Sequence, residues 1–241
     1  MHALASPQRQ LRPVVYPDSD GQPMAENTLQ YEWIVTIKGG LDTALPDFVA
    51  GDLLWYPVEG QPDIRVAPDV LVALGRPKGY RGSYRQWEEE GIAPQVVFEV
   101  LSPGNRYTEM VRKLNFYQRY GVQEYYVYDP DSQELVVYRR QEDRLEQVES
   151  PDGWVSPLLG IRFQTAGGTF RIFHRNDKPF LTFTELTELA NRESQRADEA
   201  LVQAEAERRQ AEAERRRADE NAARVAALEA RLRTLGLDPE S

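Results

Sequence analysis

The sequence predicts an α/β domain followed by a long, charged C-terminal helix. Residues 27–184 alternate helical and strand-like apolar patterns, whereas residues 185–235 lose glycine and aromatic residues and become rich in Ala, Glu and Arg. The 241 residues suffice for one sizeable core with an appendage. Residues 1–26 are rich in Pro, Ser, Asp and Gly and are predicted to be irregular. Residues 236–241 are predicted to form a disordered end.

The core elements are expected in the order helix, three strands, helix, strand. The first helix carries Leu29, Trp33 and Ile37 on one face, and Lys38-Gly39-Gly40 is expected to close it. The second helix ends at Gly121, a typical position for a C-cap glycine. The expected strands and second helix are, in chain order, Phe48–Tyr56, Val66–Leu74, Gln95–Leu101, the helix Tyr107–Tyr120, and Glu124–Tyr128. Later β signals predict extra hairpins at 134–140, 144–148, 160–163 and 169–173.

The C-terminal segment has a seven-residue repeat. The heptad Gln-Ala-Glu-Ala-Glu-Arg-Arg is written twice, at Gln203–Arg209 and Gln210–Arg216. Apolar residues recur every seven positions, at Ala197, Ala204, Ala211, Ala218, Val225 and Leu232. This spacing predicts a coiled coil, most simply within a homodimer. The alternative is a single solvated helix that Glu–Arg pairs at i,i+4 stabilise.

Composition restricts the chemistry that the chain can perform. There is no cysteine, and His2 and His174 are the two histidines, so disulfides and a multi-histidine zinc site are excluded. Any bound metal is expected to be a hard cation held by oxygen. The formal net charge of −10 argues against a general nucleic-acid coat protein but leaves room for a local basic patch. The lack of a long apolar run predicts a cytoplasmic protein with no membrane partner.

Three charged residues stand where the local pattern favours apolar side chains. Asp69 lies within the apolar run 66–74, and Glu99 interrupts the run 95–101 in the same way. Lys113 shares the core-facing side of the second helix, since it is three residues from Met110 and four from Tyr117. Buried charges are costly unless they pair or bind a metal. The sequence therefore predicts either an ion-pair cluster or a metal site with a nearby cation.

The same residues resemble a known nuclease family. Pro68-Asp69 and Glu99-Val100-Leu101 are similar to the Pro-Asp and Asp/Glu-x-Lys signature of restriction-endonuclease-like (PD-(D/E)xK) nucleases, with Leu101 in place of lysine. The run 94–106, together with Lys113 and later positions, resembles the Uma-type restriction endonucleases. These later positions are Tyr117, Gly121, Glu124-Tyr125-Tyr126 and Asp129-Pro130. The resemblance covers residues 27–165.

The resemblance implies a restriction-endonuclease-like core that hydrolyses phosphodiester bonds in DNA with Mg²⁺ or Mn²⁺. Asp69 and Glu99 would be metal ligands, and the carbonyl of Val100 would be a third. The catalytic lysine would have moved from the strand to the following helix, at Lys113, where it stabilises charge on the phosphate. Two alternatives remain open, a non-catalytic adaptor that acts through the coiled coil and a nuclease that acts on RNA.

Other charged residues are candidates for supporting roles. Asp52 on the first strand and Glu32 on the first helix are possible auxiliary metal ligands, although a turn residue and an exposed glutamate are the simpler interpretations. The segment between the Asp69 and Glu99 strands interleaves cations with aromatic residues, which suits DNA binding. The cations are Arg76, Lys78, Arg81 and Arg85. Alternatively, the adjacent Glu88-Glu89-Glu90 neutralises them as part of a surface loop.

Overall fold

The computed structural model describes residues 14–19, 21–104 and 107–234. The irregular lead-in predicted at the N-terminus lies partly outside these residues, and the predicted disordered end 236–241 lies wholly outside them. The chain divides into two compact units, Met1–Phe183 and Thr184–Ser241.

The first unit contains the α/β core and the second contains the long helix. The helices are α1 (Thr28–Ala44), α2 (Tyr107–Arg119) and α3 (Phe183–Thr234), with a short 3₁₀ turn at Gln86–Glu89. The strands are β1 (Asp47–Gly51), β2 (Trp55–Tyr56), β3 (Val70–Pro77), β4 (Tyr84–Arg85), β5 (Val96–Val100), β6 (Glu124–Asp129), β7 (Glu134–Gln141), β8 (Arg144–Gln147), β9 (Arg162–Gln164) and β10 (Arg171–Phe173). The predicted α/β core with extra hairpins and a long C-terminal helix is confirmed.

One six-stranded sheet organises the first unit, in the order β1-β3-β5-β6-β7-β8. Strands β5 and β6 are parallel and are connected through α2, whereas the other neighbours in this sheet are antiparallel. Successive residues of β3 alternate between the two faces, so Val70 and Val72 pack on the α1 side while Leu71 and Ala73 pack on the α2 side. All four are fully buried, which explains why this run reads as continuously apolar.

Helix α1 continues beyond the glycine pair that was expected to end it. The helix begins at the N-cap Asn27, whose side chain accepts a hydrogen bond from the backbone N–H of Gln30, and runs to Ala44. A Cβ atom at Gly40 would collide with the ring of Phe180. The predicted boundary was therefore wrong because this glycine serves close packing against Phe180 rather than helix termination.

Two predicted strand boundaries also need correction, and both bear on the candidate site. The predicted strand Phe48–Tyr56 is two strands, since the chain turns at Asp52, whose φ of 47° is left-handed. The predicted strand Val66–Leu74 begins at Val70, so Asp69 immediately precedes β3 instead of lying within it. Asp69 is consequently at a strand end, where its side chain can reach the neighbouring strand.

Candidate active site

Sheet register brings Asp69 to the carboxyl end of β5. Strands β3 and β5 are antiparallel with Val70 opposite Phe98, so the start of β3 lies beside the end of β5. The Asp69 carboxylate accepts a hydrogen bond of 2.6 Å from the backbone N–H of Val100. The carbonyl of Asp69 accepts another, of 3.1 Å, from the N–H of Asp52. The two carboxylate-bearing residues at the ends of β1 and β3 are thereby held together.

Glu99 is buried inside the sheet beneath this edge, with a relative exposure of 2%. The ammonium of Lys113 donates to one of its carboxylate oxygens at 2.7 Å, and the hydroxyl of Tyr117 donates to the other. Lys113 and Tyr117 are four residues apart, so both project from the same side of α2. The structure thus brings Asp69, Glu99 and Lys113 together, as the sequence pattern had indicated.

Burial and mutual repulsion set the protonation of this group. Burial raises the pKa of Asp69 well above its usual value, and the nearby charges of Glu99 and Asp52 raise it further. For Lys113, burial favours the neutral form, yet attraction to Glu99 and Asp69 prevails and the pKa is raised. Burial also raises the pKa of Tyr117, and Glu99 adds to this effect. At neutral pH Lys113 is therefore a cation and Tyr117 a neutral hydrogen-bond donor.

The carbonyl of Val100 is fixed by residues that the sequence patterns did not single out. The buried side-chain amide of Gln30 donates to this carbonyl at 2.8 Å and accepts from the N–H of Glu26 at 2.8 Å. The carboxylate of Glu26 in turn accepts from the hydroxyl of Ser102. The spacing Asn27-x-x-Gln30 is a capping-box signature and could have identified Gln30, but not its contact with a strand 70 residues away.

A cleft of about 590 Å³ opens over this edge of the sheet. Its carboxylates include those of Asp52, Asp63 and Asp69, and its cations include Lys113. Of the auxiliary candidates, Asp52 lines the cleft, whereas Glu32 is exposed on α1 and does not line it.

The four cations of the basic run 76–85, which leads from the end of β3 to the 3₁₀ turn, do not line this cleft. Each is engaged by carboxylates, which matches the alternative interpretation of a neutralised surface loop. The ion pairs are Arg76 with Glu89 and Glu90 at 3.0 and 2.8 Å, Lys78 with Asp42 at 3.0 Å, Arg81 with Glu89 at 2.5 Å, and Arg85 with Glu88 at 3.3 Å. The guanidinium of Arg81 also lies 3.8 Å from the centre of the Phe48 ring. A role for these cations in DNA binding stays a prediction.

The donor set suits a hard divalent cation with few protein ligands. Within the described residues, no group of three or more His, Cys, Asp or Glu side chains could hold a metal ion. The nearest candidate oxygens are the carboxylate of Asp69, the carboxylate of Glu99 and the carbonyl of Val100. Those of Glu99 accept hydrogen bonds from Lys113 and Tyr117, and the carbonyl of Val100 accepts one from Gln30. Magnesium commonly takes one or two carboxylates and completes its shell with water and substrate phosphate. Burial is the main cause of the raised pKa of Asp69, and the charges of Glu99 and Asp52 add to it while Lys113 opposes it. A cation bound beside Asp69 would lower this pKa.

Comparisons with known proteins identified a family model that matches more than half of the chain. Residues 36–166 match the family model Uma2, which is described as "Putative restriction endonuclease". A crystal structure of a "putative nuclease" from Anabaena variabilis is similar at 18% sequence identity, with a TM-score of 0.41, and the match covers 56% of this chain and 75% of that chain. A comparison with curated proteins gave no match. Separately, no helix among the described residues is long and apolar enough to cross a membrane.

Proposed function

Since the chain belongs to the Uma2 family, we propose that it is a metal-dependent endonuclease that hydrolyses phosphodiester bonds in DNA. The observation that carries the proposal is the convergence of Asp69, Glu99 and Lys113: Asp69 and Lys113 line one cleft, and the buried Glu99 pairs with Lys113. The three residues come from three different elements, so only the fold brings them together. Family membership supports a nuclease, whereas the metal and the DNA substrate are our inference.

The carboxylates of Asp69 and Glu99 and the carbonyl of Val100 would hold Mg²⁺ or Mn²⁺. A bound ion of this kind supplies neutralisation of phosphoryl charge and lowers the pKa of a bound water. Hydrogen bonds from Val100 N–H and from Gln30 orient two of the three ligands. Such supporting contacts fix ligand geometry and commonly matter as much as the ligands themselves.

Lys113 has two roles in this proposal. Its ammonium holds Glu99 at 2.7 Å, and its position in the wall of the cleft leaves it close to where a phosphate would bind. A fixed cation that faces the negative charge developing on the phosphoryl oxygens lowers the reaction barrier. The hydroxyl of Tyr117 keeps the second oxygen of Glu99 in place, so that Glu99 cannot rotate away from the cleft.

The test is to incubate the purified full chain with supercoiled plasmid, single-stranded DNA and RNA, each with Mg²⁺, Mn²⁺ or EDTA. The proposal expects DNA cleavage with either metal, none with EDTA, and loss of cleavage in Asp69→Asn. Faster cleavage of RNA than of either DNA would support the alternative substrate. Cleavage that persists in EDTA or in Asp69→Asn would contradict the proposed site.

A second candidate function rests on α3, which spans 52 residues and buries none of them among the described residues. Its larger apolar side chains include Val225, Leu228 and Leu232, which are 54%, 56% and 37% exposed. Apolar residues at this spacing favour association with another helix. We propose that α3 forms a coiled coil with a second copy of the chain, which would serve either a dimeric nuclease or an adaptor.

A further inference from the structure

A second groove, of about 380 Å³, continues the cleft along α2. The cleft and the groove share five wall residues, so a ligand can pass from one into the other without leaving the surface. The shared residues are Asp63, Arg65, Val66, Arg112 and Lys113. We call the second depression the α2 groove.

The α2 groove is strongly cationic although the whole chain carries a net charge of −10. Its lining includes one carboxylate, Asp63, against the four cations Arg65, Arg112, Lys113 and Arg119. Lys113 is already paired with Glu99. The three arginines, in contrast, form no ion pair with any carboxylate in the part of the chain that the structure describes.

This lack of carboxylate partners distinguishes the α2 groove from the segment between β3 and the 3₁₀ turn. There every cation of the basic run is neutralised by a glutamate or aspartate. Cations that the protein leaves without carboxylates, side by side along a depression, are suited to an anionic ligand. The spacing of the arginines restricts the class of ligand further, because Arg112 and Arg119 are two helical turns apart, about 10 Å along α2. A single small anion could not contact both, whereas a chain of phosphates could.

Aromatic side chains line the α2 groove beside these two arginines. Phe116 and Tyr120 line the α2 groove and are partly exposed, with ring centres 4.6 Å apart. The ring of Trp55 packs edge-on against the ring of Phe116, with ring centres 5.4 Å apart. The guanidinium of Arg119 lies 5.5 Å from the centre of the Tyr120 ring. Aromatic rings interleaved with cations bind bases by stacking, and stacking of this kind requires a base that is not paired.

We propose that the α2 groove binds single-stranded DNA that continues from the cleft, with Arg112 and Arg119 contacting phosphates and the Phe116–Tyr120 wall contacting an unpaired base. The inference rests on the proposed function in one respect, since it places the scissile phosphate in the adjoining cleft. It goes further by assigning residues to the strand and by requiring that the DNA be single-stranded there.

The experiment compares the full-length wild type with Arg112→Gln/Arg119→Gln and with the control Arg139→Gln/Arg144→Gln. The control removes the same charge from two exposed arginines on β7 and β8 that line neither the cleft nor the α2 groove. Binding of a fluorescently labelled DNA oligonucleotide, single-stranded or as a duplex, is measured by anisotropy in EDTA at several salt concentrations. EDTA separates binding from cleavage.

We expect the wild type and the control to bind the single strand more tightly than the duplex. The groove variant should bind the single strand about tenfold or more weakly. Its slope of log affinity against log salt should be shallower by about 1.4, because each lost phosphate contact removes about 0.7. Circular dichroism and thermal melting check that the variant is folded.

Equal affinity of the groove variant and the control for the single strand would overturn the inference, as would wild-type binding that favours the duplex. These results are distinguishable from failure of the proposed function. A wild type that binds the strand through the groove but cleaves no nucleic acid would uphold the groove and contradict the nuclease. A wild type that cleaves DNA with Mg²⁺ while the groove variant cleaves and binds equally well would do the reverse.

Discussion

Two buried glutamates, Glu99 and Glu124, lie on adjacent parallel strands and have opposite surroundings. Glu99 is paired with the cation Lys113 and lies beside a second carboxylate, Asp69, beneath an open cleft. Glu124 is 1% exposed and no ion pair to it is found among the described residues. Three neutral donors bind its oxygens instead: the hydroxyls of Tyr126 and Ser156 and the backbone N–H of Leu158.

The comparison shows that a buried carboxylate does not by itself indicate chemistry. Three neutral donors engage both oxygens of Glu124, so this carboxylate pins the segment around Ser156 to β6, and it does not line the cleft. Beside Glu99, burial raises the pKa of Asp69, and the negative charge of Glu99 raises it further. An excess of buried charge beside an open cleft is what distinguishes a candidate site from a structural contact.

The sharpest way to test this contrast is to remove the cation at Glu99. Lys113→Met removes the cation but keeps a side chain of similar length, and it leaves the buried Glu99 without its ion pair. It should therefore lower the stability of the fold by about 3–5 kcal/mol, so cleavage is compared per folded molecule. DNA cleavage should fall about 10²- to 10³-fold, because charge stabilisation at the phosphate is lost. Lys113→Arg should rescue poorly, since the guanidinium is bulkier. The measurement is the initial rate of plasmid nicking with Mg²⁺.

The matched control for that change is Lys38→Met. Lys38 also pairs with a carboxylate at 2.7 Å, that of Asp42, but it lies on α1 and does not line the cleft. Its substitution should leave the cleavage rate within about twofold of wild type, because a partly exposed i,i+4 pair contributes about 0.3–0.5 kcal/mol to stability. A folded Lys113→Met protein that cleaves as fast as the control would remove Lys113 from the mechanism.

Substitution of Glu124, in contrast, should change the stability of the fold rather than the cleavage activity. Glu124→Ala leaves three buried donors without an acceptor, and it should destabilise the fold by about 3 kcal/mol. The midpoint of urea unfolding is the measurement. Activity per folded molecule should be unchanged, because Glu124 does not line the cleft. A variant that keeps its stability but loses cleavage would reverse the roles assigned to the two glutamates.

Asp69→Asn should have a smaller effect on stability, and of the opposite sign. The folded-state pKa of Asp69 is raised above 3.8, so the stability that its protonated form contributes is present at acid pH and is lost as the pH rises through the folded value. The asparagine does not ionise and can still accept from Val100 N–H. In EDTA, the variant should therefore melt a few degrees above wild type at neutral pH.

The pH dependence provides the control for this prediction. The difference in melting temperature between Asp69→Asn and wild type should shrink as the pH falls toward the usual carboxyl range, because the wild-type carboxyl then holds its proton. Thermal melts followed by circular dichroism at several pH values would measure it. If Asp69→Asn melted below wild type at neutral pH in EDTA, that result would contradict the claim that the ionised carboxylate of Asp69 destabilises the fold.

The smallest effect on the stability of the first unit is expected from changes to the second unit, which contains α3. Deleting residues 185–241 should leave its stability nearly unchanged, while any self-association of the full chain should decrease. Leu228→Asp with Leu232→Asp should weaken association in the same way, because each places a charge on the apolar stripe of α3. Light scattering measures the mass. Full-length protein that is monomeric at all accessible concentrations would refute the coiled coil between copies.

Local pattern was sufficient to predict the element order and the three converging charges. Glu99 and Lys113 could be found because each interrupts an apolar face whose period is clear in the sequence. Glu124 begins the apolar run 124–128, yet no sequence pattern reveals that its partners include Ser156 and Leu158, about 30 residues away. Sequence can therefore show that a charge is buried, but the fold decides whether a cation, a hydroxyl or a ligand compensates it.

Contacts between distant segments account for the remaining differences. The helix boundary at Gly40 depended on Phe180, and the fixing of the Val100 carbonyl depended on Gln30. These partners are up to 140 residues apart in sequence, so no window of local periodicity contains them.

Calorimetric titration of Mn²⁺ or Mg²⁺ tests most directly the claim that the Glu99 end of the sheet is a cation site and the Glu124 end is not. The account predicts that wild type binds the metal, that Asp69→Ala abolishes binding, and that Lys113→Met and Glu124→Gln retain it. A wild type that binds neither metal at millimolar concentration, or an Asp69→Ala protein that binds as well as wild type, would contradict the account.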